Sequence, residues 1–463
     1  MLFFAAQVAL AQPAAPASQP ASKGGPPRTR AWGVRLDSEP PEYVRTLPNA
    51  VDSPLTSPAP DWLDFGLEQR TRYEYRHQDA RRSPLTYDDQ FLLRSRAYFG
   101  IREVLDPLRF GVEIQDSREF GTRFGDSDRD TNQADLQQGF AELFFEDALG
   151  PREPLRLQAG RMSFELVDRR LFARNRWRNT TNAFDGFRLR AGESKSPYEL
   201  NVHAVRPVER RLRRLDGSDD ERVLYGATVS WRGWEPLIQI EPYYFLLDVD
   251  RRSDPALTDR LIHTPGVRVF GLLGESGWDY DANVAFQFGE DGDRTHRAFA
   301  AAGEVGYSFE AAWDPRLSFF TLYASGDEDR NDGTTQRFDR LFGAAHFLST
   351  SDLFIWENTI VPKLRLDFSP LKDLQLDVAY GMYWLASDRD NWGATGRRIA
   401  GGGSTFIGHE FEFRGVYRVN EHVNLELGYS HFIPGPFAND VVPPADNDFD
   451  RGDFVYVQMT LRM

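Results

Sequence analysis

The sequence predicts an all-β fold: a transmembrane antiparallel β-barrel of about 18 strands, with short periplasmic turns and long extracellular loops. Three observations predict it. Apolar and charged residues alternate with a period of two along most of the chain from Trp62 onward. The connections between the alternating segments are themselves short and long in turn. The chain is polar on average, with mean hydropathy −0.52, yet 13% of its 463 residues are aromatic. A polar lumen and an aromatic lipid face account for that pairing.

Residues Leu2 to Ala11 form a short apolar stretch that ends in the small-x-small run Ala9-Leu10-Ala11. The stretch is too short to span a bilayer and reads as a signal peptide over 1–11, with Gln12 as the first mature residue. Residues 12–60 read as a flexible periplasmic N-terminal segment, rich in Pro, Ala and Ser over 12–30. The barrel is assigned 61–463.

In "LDFGLEQRTRYEYR" the odd positions Leu63, Phe65, Leu67, Tyr73 and Tyr75 oppose Asp64, Glu68, Arg70, Arg72, Glu74 and Arg76. The same division separates Phe91, Leu93, Ala97 and Phe99 from Arg94, Arg96 and Arg102. It also separates Trp278, Tyr280, Val284, Phe286 and Phe288 from Asp279, Asp281 and Gln287. Such segments lie near 62–77, 90–103, 108–120, 136–146, 154–161, 183–191, 197–206, 222–231, 236–248 and 264–273. They continue near 278–289, 296–310, 315–326, 353–368, 373–386, 404–418, 422–433 and 453–463. The 154–161 and 264–273 segments carry the weakest alternation.

Connections such as "EVLDPL", "RGWEP", "GESG" and "SPLKD" are short, whereas 121–134, 162–182, 207–221, 327–352 and 387–403 are long and polar. One end of the structure therefore carries turns and the other loops. A soluble sandwich has no reason for that rhythm, and an outer-membrane barrel does. With 16–18 strands, roughly, the lumen stays open as an aqueous channel.

Several classes are excluded or disfavoured. No apolar run of about 18 residues exists, so helical membrane spans are ruled out. The absence of cysteine removes disulfide scaffolds and thiolate metal sites. A net charge of −15 and an export signal argue against nucleic acid as a partner. No HExxH, Walker loop or Gly-x-Ser-x-Gly motif appears, so the protein is read as not an enzyme. No cofactor is expected. A secreted β-rich polysaccharide-acting enzyme is the rival reading from another class. The acidic runs "GEDGDR", "DGSDDER" and "GDEDRNDG" read as solvated loops, with calcium binding as a lesser alternative.

Against this acidic background, "RRLFARNRWRN" packs arginine at 169, 170, 174, 176 and 178. An arginine facing mid-bilayer lipid costs about 2–4 kcal/mol, so strand arginines such as Arg70, Arg72, Arg94, Arg96, Arg188 and Arg190 have to face the lumen. Two readings stand: a ladder of cross-strand ion pairs filling the barrel, or free guanidinium that attracts anions. The 161–190 region favours the second. There Arg161, Arg169, Arg170, Arg174, Arg176, Arg178, Arg188 and Arg190 meet only Glu165, Asp168 and Asp185. Arginine forks match carboxylates, and arginine rings make anion-selective pores. The 162–182 loop is expected to fold inward, with Phe172 packing it.

The stretch "LRLQAGRMSFELVDRRLFARNRWRNTTNAFDGFRLR" resembles the signature of alginate-export outer-membrane barrels. The landmarks are Gly160-Arg161, Arg170-Leu171, Trp177 with Asn179, and Phe184-Asp185-Gly186. "YASGDED", "FDRLFGAAHFL" and "LGYSHFIPGPF" resemble later landmarks. The resemblance covers roughly 62 to 463 and implies an 18-stranded porin of the bacterial outer membrane. It implies passage of an anionic polysaccharide or oligosaccharide, an alginate-like uronate, through an arginine-rich constriction. The implied partners are that polymer, the lipid bilayer and periplasmic export components. A general anion or sugar-acid uptake porin is the alternative. The expected pore lining is Arg70, Arg72, Arg94, Arg96, Arg161, Arg170, Arg174, Arg188 and Asp185. Arg161, Arg170 and Arg188 are expected at the constriction, with Asp185 orienting a neighbouring guanidinium.

Overall fold

Hydrocarbon offers no partner to a backbone N–H or C=O, so a sheet crossing a bilayer has to pair its first strand with its last. The computed structural model meets that demand. It describes residues 40–44, 60, 62–82, 85–252, 258–442 and 449–463. Twenty strands lie among them, and two of these are two-residue pieces in loops, β8 (Gly217–Ser218) and β15 (Thr334–Thr335).

The remaining eighteen make the wall. They are β1 (Leu63–His77), β2 (Tyr87–Ile101), β3 (Leu108–Phe120), β4 (Asn132–Phe145), β5 (Leu155–Met162), β6 (Phe184–Ala191), β7 (Tyr198–Glu209), β9 (Arg222–Trp234) and β10 (Ile238–Val249). Then come β11 (Arg260–Leu272), β12 (Trp278–Asp291), β13 (Arg294–Ser308), β14 (Arg316–Ala324), β16 (Thr359–Leu371), β17 (Leu374–Trp384), β18 (Phe406–Arg418), β19 (Val423–Pro434) and β20 (Gly452–Arg462). Neighbours pair antiparallel, and β1 closes the barrel against β20, with Tyr73 opposite Val457. Every segment expected from the alternation is a wall strand, including the two weakest, which are β5 and β11.

The wall is inside out relative to a soluble protein. Phe187 on β6 is 69% exposed, whereas Arg72 on β1 is 1% exposed. Phe91, Phe99, Phe286, Leu364 and Phe411 share the outer face, and Glu68, Arg70, Glu74, Arg94 and Arg96 are buried within. No helix among the described residues is long and apolar enough to cross a membrane. The strands do the crossing.

Three expectations are corrected. The strand expected from 353 begins only at Thr359. Leu353, Phe354 and Trp356 are buried, at most 3% exposed, and belong to the inward loop 325–358. Phe354 stacks on Tyr383 at 3.6 Å, so these apolar residues cover a lumenal core rather than lipid. The "GEDGDR" run is not a loop, because β12 and β13 extend through it and leave only Gly292 and Asp293 between them. In "GDEDRNDG" Asp327 is buried, its backbone N–H donating to Asp390 Oδ2 at 3.0 Å, so that run is only partly a solvated face.

The expected signal peptide 1–11 and most of the expected 12–60 segment lie outside the described residues. The described part, Pro40–Val44, is not free in the periplasm. Tyr43 is 2% exposed inside the barrel and its hydroxyl donates to Glu113 Oε1 on β3 at 2.6 Å.

The topology is testable because the native chain holds no cysteine. Asn331→Cys should react with an impermeant maleimide on intact cells, and Lys372→Cys in the β16–β17 turn should react only after the outer membrane is breached. The reverse pattern would invert the barrel.

Candidate functional site: an arginine-rich loop held across the lumen

The loop 163–183 between β5 and β6 folds into the barrel, as its composition predicts. Its apolar half packs against the wall. Phe172 is fully buried, with ring centroids 4.8 Å from Phe164 and 4.5 Å from Phe184. Its arginine-rich half lies against β1 and β2.

There the wall arginines serve as its anchors. Arg70 Nη1 donates to the Arg176 and Trp177 carbonyls at 2.9 and 3.2 Å, and Nη2 donates to the Arg178 carbonyl at 2.8 Å. Arg94 donates to the Arg176 carbonyl at 3.2 Å and pairs with Glu68 at 3.0 Å. Arg72 donates to the Trp177 carbonyl at 2.8 Å, and its guanidinium lies 4.0 Å above the Trp177 ring. The opposite partner of that indole is His346, stacked at 3.7 Å. Arg96 reaches Gln115 and Thr181, both at 2.8 Å. Stacked cations of like sign are tolerated because backbone carbonyls converge on their donors.

Asn179 is the peg between loop and wall. Fully buried, its amide donates to the carbonyls of Leu93 at 3.0 Å and Asp130 at 2.8 Å. Arg174 is clamped by both oxygens of the fully buried Glu113, at 2.8 and 2.9 Å. The sequence comparison of eight arginines with three acids is therefore corrected. It sought partners within the same stretch, while the fold brings in Glu113 from β3, Asp135 from β4 and Glu199 from β7.

Arg161 is held by Asp185 with two bonds, 2.8 and 2.9 Å. Arg170 is buried in an ion pair with Asp168, 5.3 Å from the Phe347 ring. Arg188 lies 4.1 Å over Phe164 beside Asn201. Arg170 and Arg188 are buried on the lumen side, whereas the expected pore-lining pair Arg161 and Asp185 shares the face of β5 and β6 that carries Leu157 and Phe187; none of the three arginines is a freely exposed cation.

Two arginine-rich faces flank the loop. Toward the short-turn end lies a cavity of about 390 Å³, lined by nine arginines and seven carboxylates. Arg169, Arg176, Arg414 and Arg462 keep side-chain exposures of 21 to 33% there. Toward the long-loop end, burial pushes Arg178 down to about 10; Asp352 opposes the fall, and Arg129, Arg340 and Arg210 add to it. Burial is the main cause of that shift, and the neighbouring arginines add to it. No group of His, Asp and Glu among the described residues is arranged to hold a metal ion.

The family model described as alginate export matches residues 61–449, most of the chain. The chain belongs to the alginate-export family. This family member is a bacterial outer-membrane barrel of the porin type. Its fold is shared with solved Pseudomonas aeruginosa structures. OpdK with vanillate matches at a TM-score of 0.60 and 12% identity, over 86% of this chain and 98% of that one. OccK2 (OpdF) in complex with glucuronate matches at 0.58 and 13%, over 86% and 97%. OccD3 (OpdP) matches at 0.54 and 13%, over 87% and 91%. No curated protein matches by sequence.

In this alginate-export barrel the landmarks "GR" and "FDG" turn out to be one feature. Gly160 pairs with Gly186 and Arg161 with Asp185 across β5 and β6. Both glycines have positive φ, +126° and +155°, and a Cβ would fall 2.4 and 2.2 Å from backbone oxygens of the adjacent strands. Only glycine fits so close an approach at this conformation, and the next pair in register is Arg161 with Asp185. The residues that sequence reasoning missed are Glu113, Glu42 and Arg462. Their signal was present, since Glu113 stands on the charged side of "FGVEIQ", but nothing in a linear reading joins it to Arg174.

Replacing Arg70 with Ala strips three carbonyls of a charged donor, and bonds of that kind contribute roughly 1.5–3 kcal/mol. Hydrogen exchange of the 176–181 amides should quicken at least tenfold, roughly, while the heat-modifiable barrel persists. Unchanged exchange would refute the anchoring role.

Proposed function

We propose that this porin passes anionic saccharides, uronate oligomers or polymers of the alginate type, by passive diffusion along the arginine faces of the inward loop. The observation that carries the proposal is the lumenal cavity, where nine arginines outnumber seven carboxylates and four keep part of their side-chain surface open. A low-dielectric wall focuses that field and concentrates carboxylates in the channel. Arg169, Arg176, Arg414 and Arg462 are the contacts. Arg170 and Arg188, fixed by their own partners, shape the field without gripping cargo, and Arg161 stands apart, bound to Asp185. Each contact stays weak because every exposed arginine already shares an acid, such as Glu165 or Glu426. Weak repeated sites allow a chain to move on rather than stall.

Family membership supports this reading, as does fold similarity to OccK2, whose structure holds glucuronate. In this reading a polymer leaving the cell is handed to the short-turn end by periplasmic export components.

Reconstitution in a planar bilayer tests the proposal. Anion selectivity and block by glucuronate oligomers, stronger than by neutral sugars of equal size, are expected. Arg169→Ala with Arg414→Ala should weaken that block several-fold, by about 1–2 kcal/mol, without loss of the heat-modifiable barrel. Cation selectivity, or equal block by neutral and acidic sugars, would overturn it.

A further inference from the structure

The short-turn end of the lumen is not empty. Pro40–Val44 occupies it as a tight turn, closed by the Val44 N–H donating to the Pro41 carbonyl at 2.9 Å. We infer that this segment is a built-in plug whose Glu42 carboxylate fills a carboxylate-binding subsite between Arg176 and Arg462. A cargo carboxylate displaces it there, an extension that rests on the function proposed above.

Four observations carry the inference. Glu42 divides its oxygens between two elements: Oε1 lies 3.8 Å from Arg176 of the inward loop, and Oε2 lies 3.4 Å from Arg462 at the end of β20. The two guanidinium groups thus form a cleft that takes one carboxylate. Tyr43 holds the turn in place through its bond to Glu113, the same carboxylate that clamps Arg174. Burial and the Glu113 charge raise the phenol well above its usual range, so it remains a donor.

The wall makes room for the segment. Gly66 faces it from β1, and a Cβ there would fall 2.5 Å from the Tyr43 carbonyl oxygen and 2.7 Å from the Val44 Cα. Any side chain at 66 excludes the turn. Finally, the segment borders both lumenal cavities, the one of about 390 Å³ and a second of about 160 Å³ on the β2–β5 side. It stands where cargo has to pass.

The grip is suited to release. The Glu42 separations from Arg176 and Arg462 are longer than a hydrogen-bonded ion pair, and Glu42 keeps 22% of its side-chain surface exposed. An incoming carboxylate competes for the same two forks and adds no charge to the site once Glu42 has left. Plug and cargo are alternative anions for one pair of cations.

Single-channel recording of the full chain tests this with two independent variants. Glu42→Gln removes the carboxylate and leaves the turn's shape, while Gly66→Leu expels the turn and leaves Glu42 intact. Both should raise conductance about twofold or more and lower the uronate concentration needed for half block. In a third variant lacking residues 40–44, the peptide Pro-Pro-Glu-Tyr-Val added on the periplasmic side should restore the low conductance. Pro-Pro-Gln-Tyr-Val should not. If the peptide blocks while uronate oligomers do not, the subsite is upheld and only the polysaccharide reading falls. Unchanged conductance in both point variants, or equal block by the two peptides, overturns the inference.

Discussion

Everything in this molecule follows from the pairing of β1 with β20. Once the sheet closes, no backbone group in the bilayer lacks a partner, and each wall residue must face either lipid or lumen. The period-two sequence is the chemical record of that division. It also confines the charged residues of eighteen strands to one narrow interior, where they have to satisfy one another or whatever chain enters. Long polar loops on one side supply such chain, and two of them, 163–183 and 325–358, meet inside the barrel.

The arginines are therefore first a scaffold. Arg70, Arg72, Arg94 and Arg96 direct their donors to carbonyls of residues 176–178 and to the Thr181 side chain, which turns a loop without regular structure into a fixed partition. Buried like charges would oppose folding if left bare, and Glu68, Glu74 and Glu113 offset much of that charge. The cations left with partly open surface lie at the faces of the partition, toward the lumenal cavity. A single residue type performs both tasks, and burial separates them.

Much of the fold was legible in the linear sequence. Alternation located all eighteen wall strands because lipid and lumen impose opposite polarity on successive residues. It failed at 353–358, where Leu353, Phe354 and Trp356 look like a lipid face but are buried inside the barrel, Phe354 against Tyr383 and Trp392 and Trp356 against Phe338. Period two reports burial on one side and cannot say which side is hydrocarbon. The site was less legible. The composition of 161–190 revealed an inward arginine loop, yet the partners of those arginines sit tens of residues away, as Glu113 does from Arg174. Pro40–Val44 looked like linker because its single tyrosine and glutamate acquire meaning only beside Gly66, Glu113 and Arg462.

The two inward loops are also joined to each other. Backbone N–H groups of Phe342 and Ala344 donate to the carbonyls of Leu171 and Arg169, at 3.0 and 2.9 Å, and Ala173 N–H donates back to Phe342 at 3.1 Å. This short ladder belongs to neither loop alone. Its consequence is mechanical: the partition moves as one body or not at all, since displacing either half breaks the shared ladder and bares its amides. The ladder thus ties the fate of the 169–173 segment to that of the 342–344 segment.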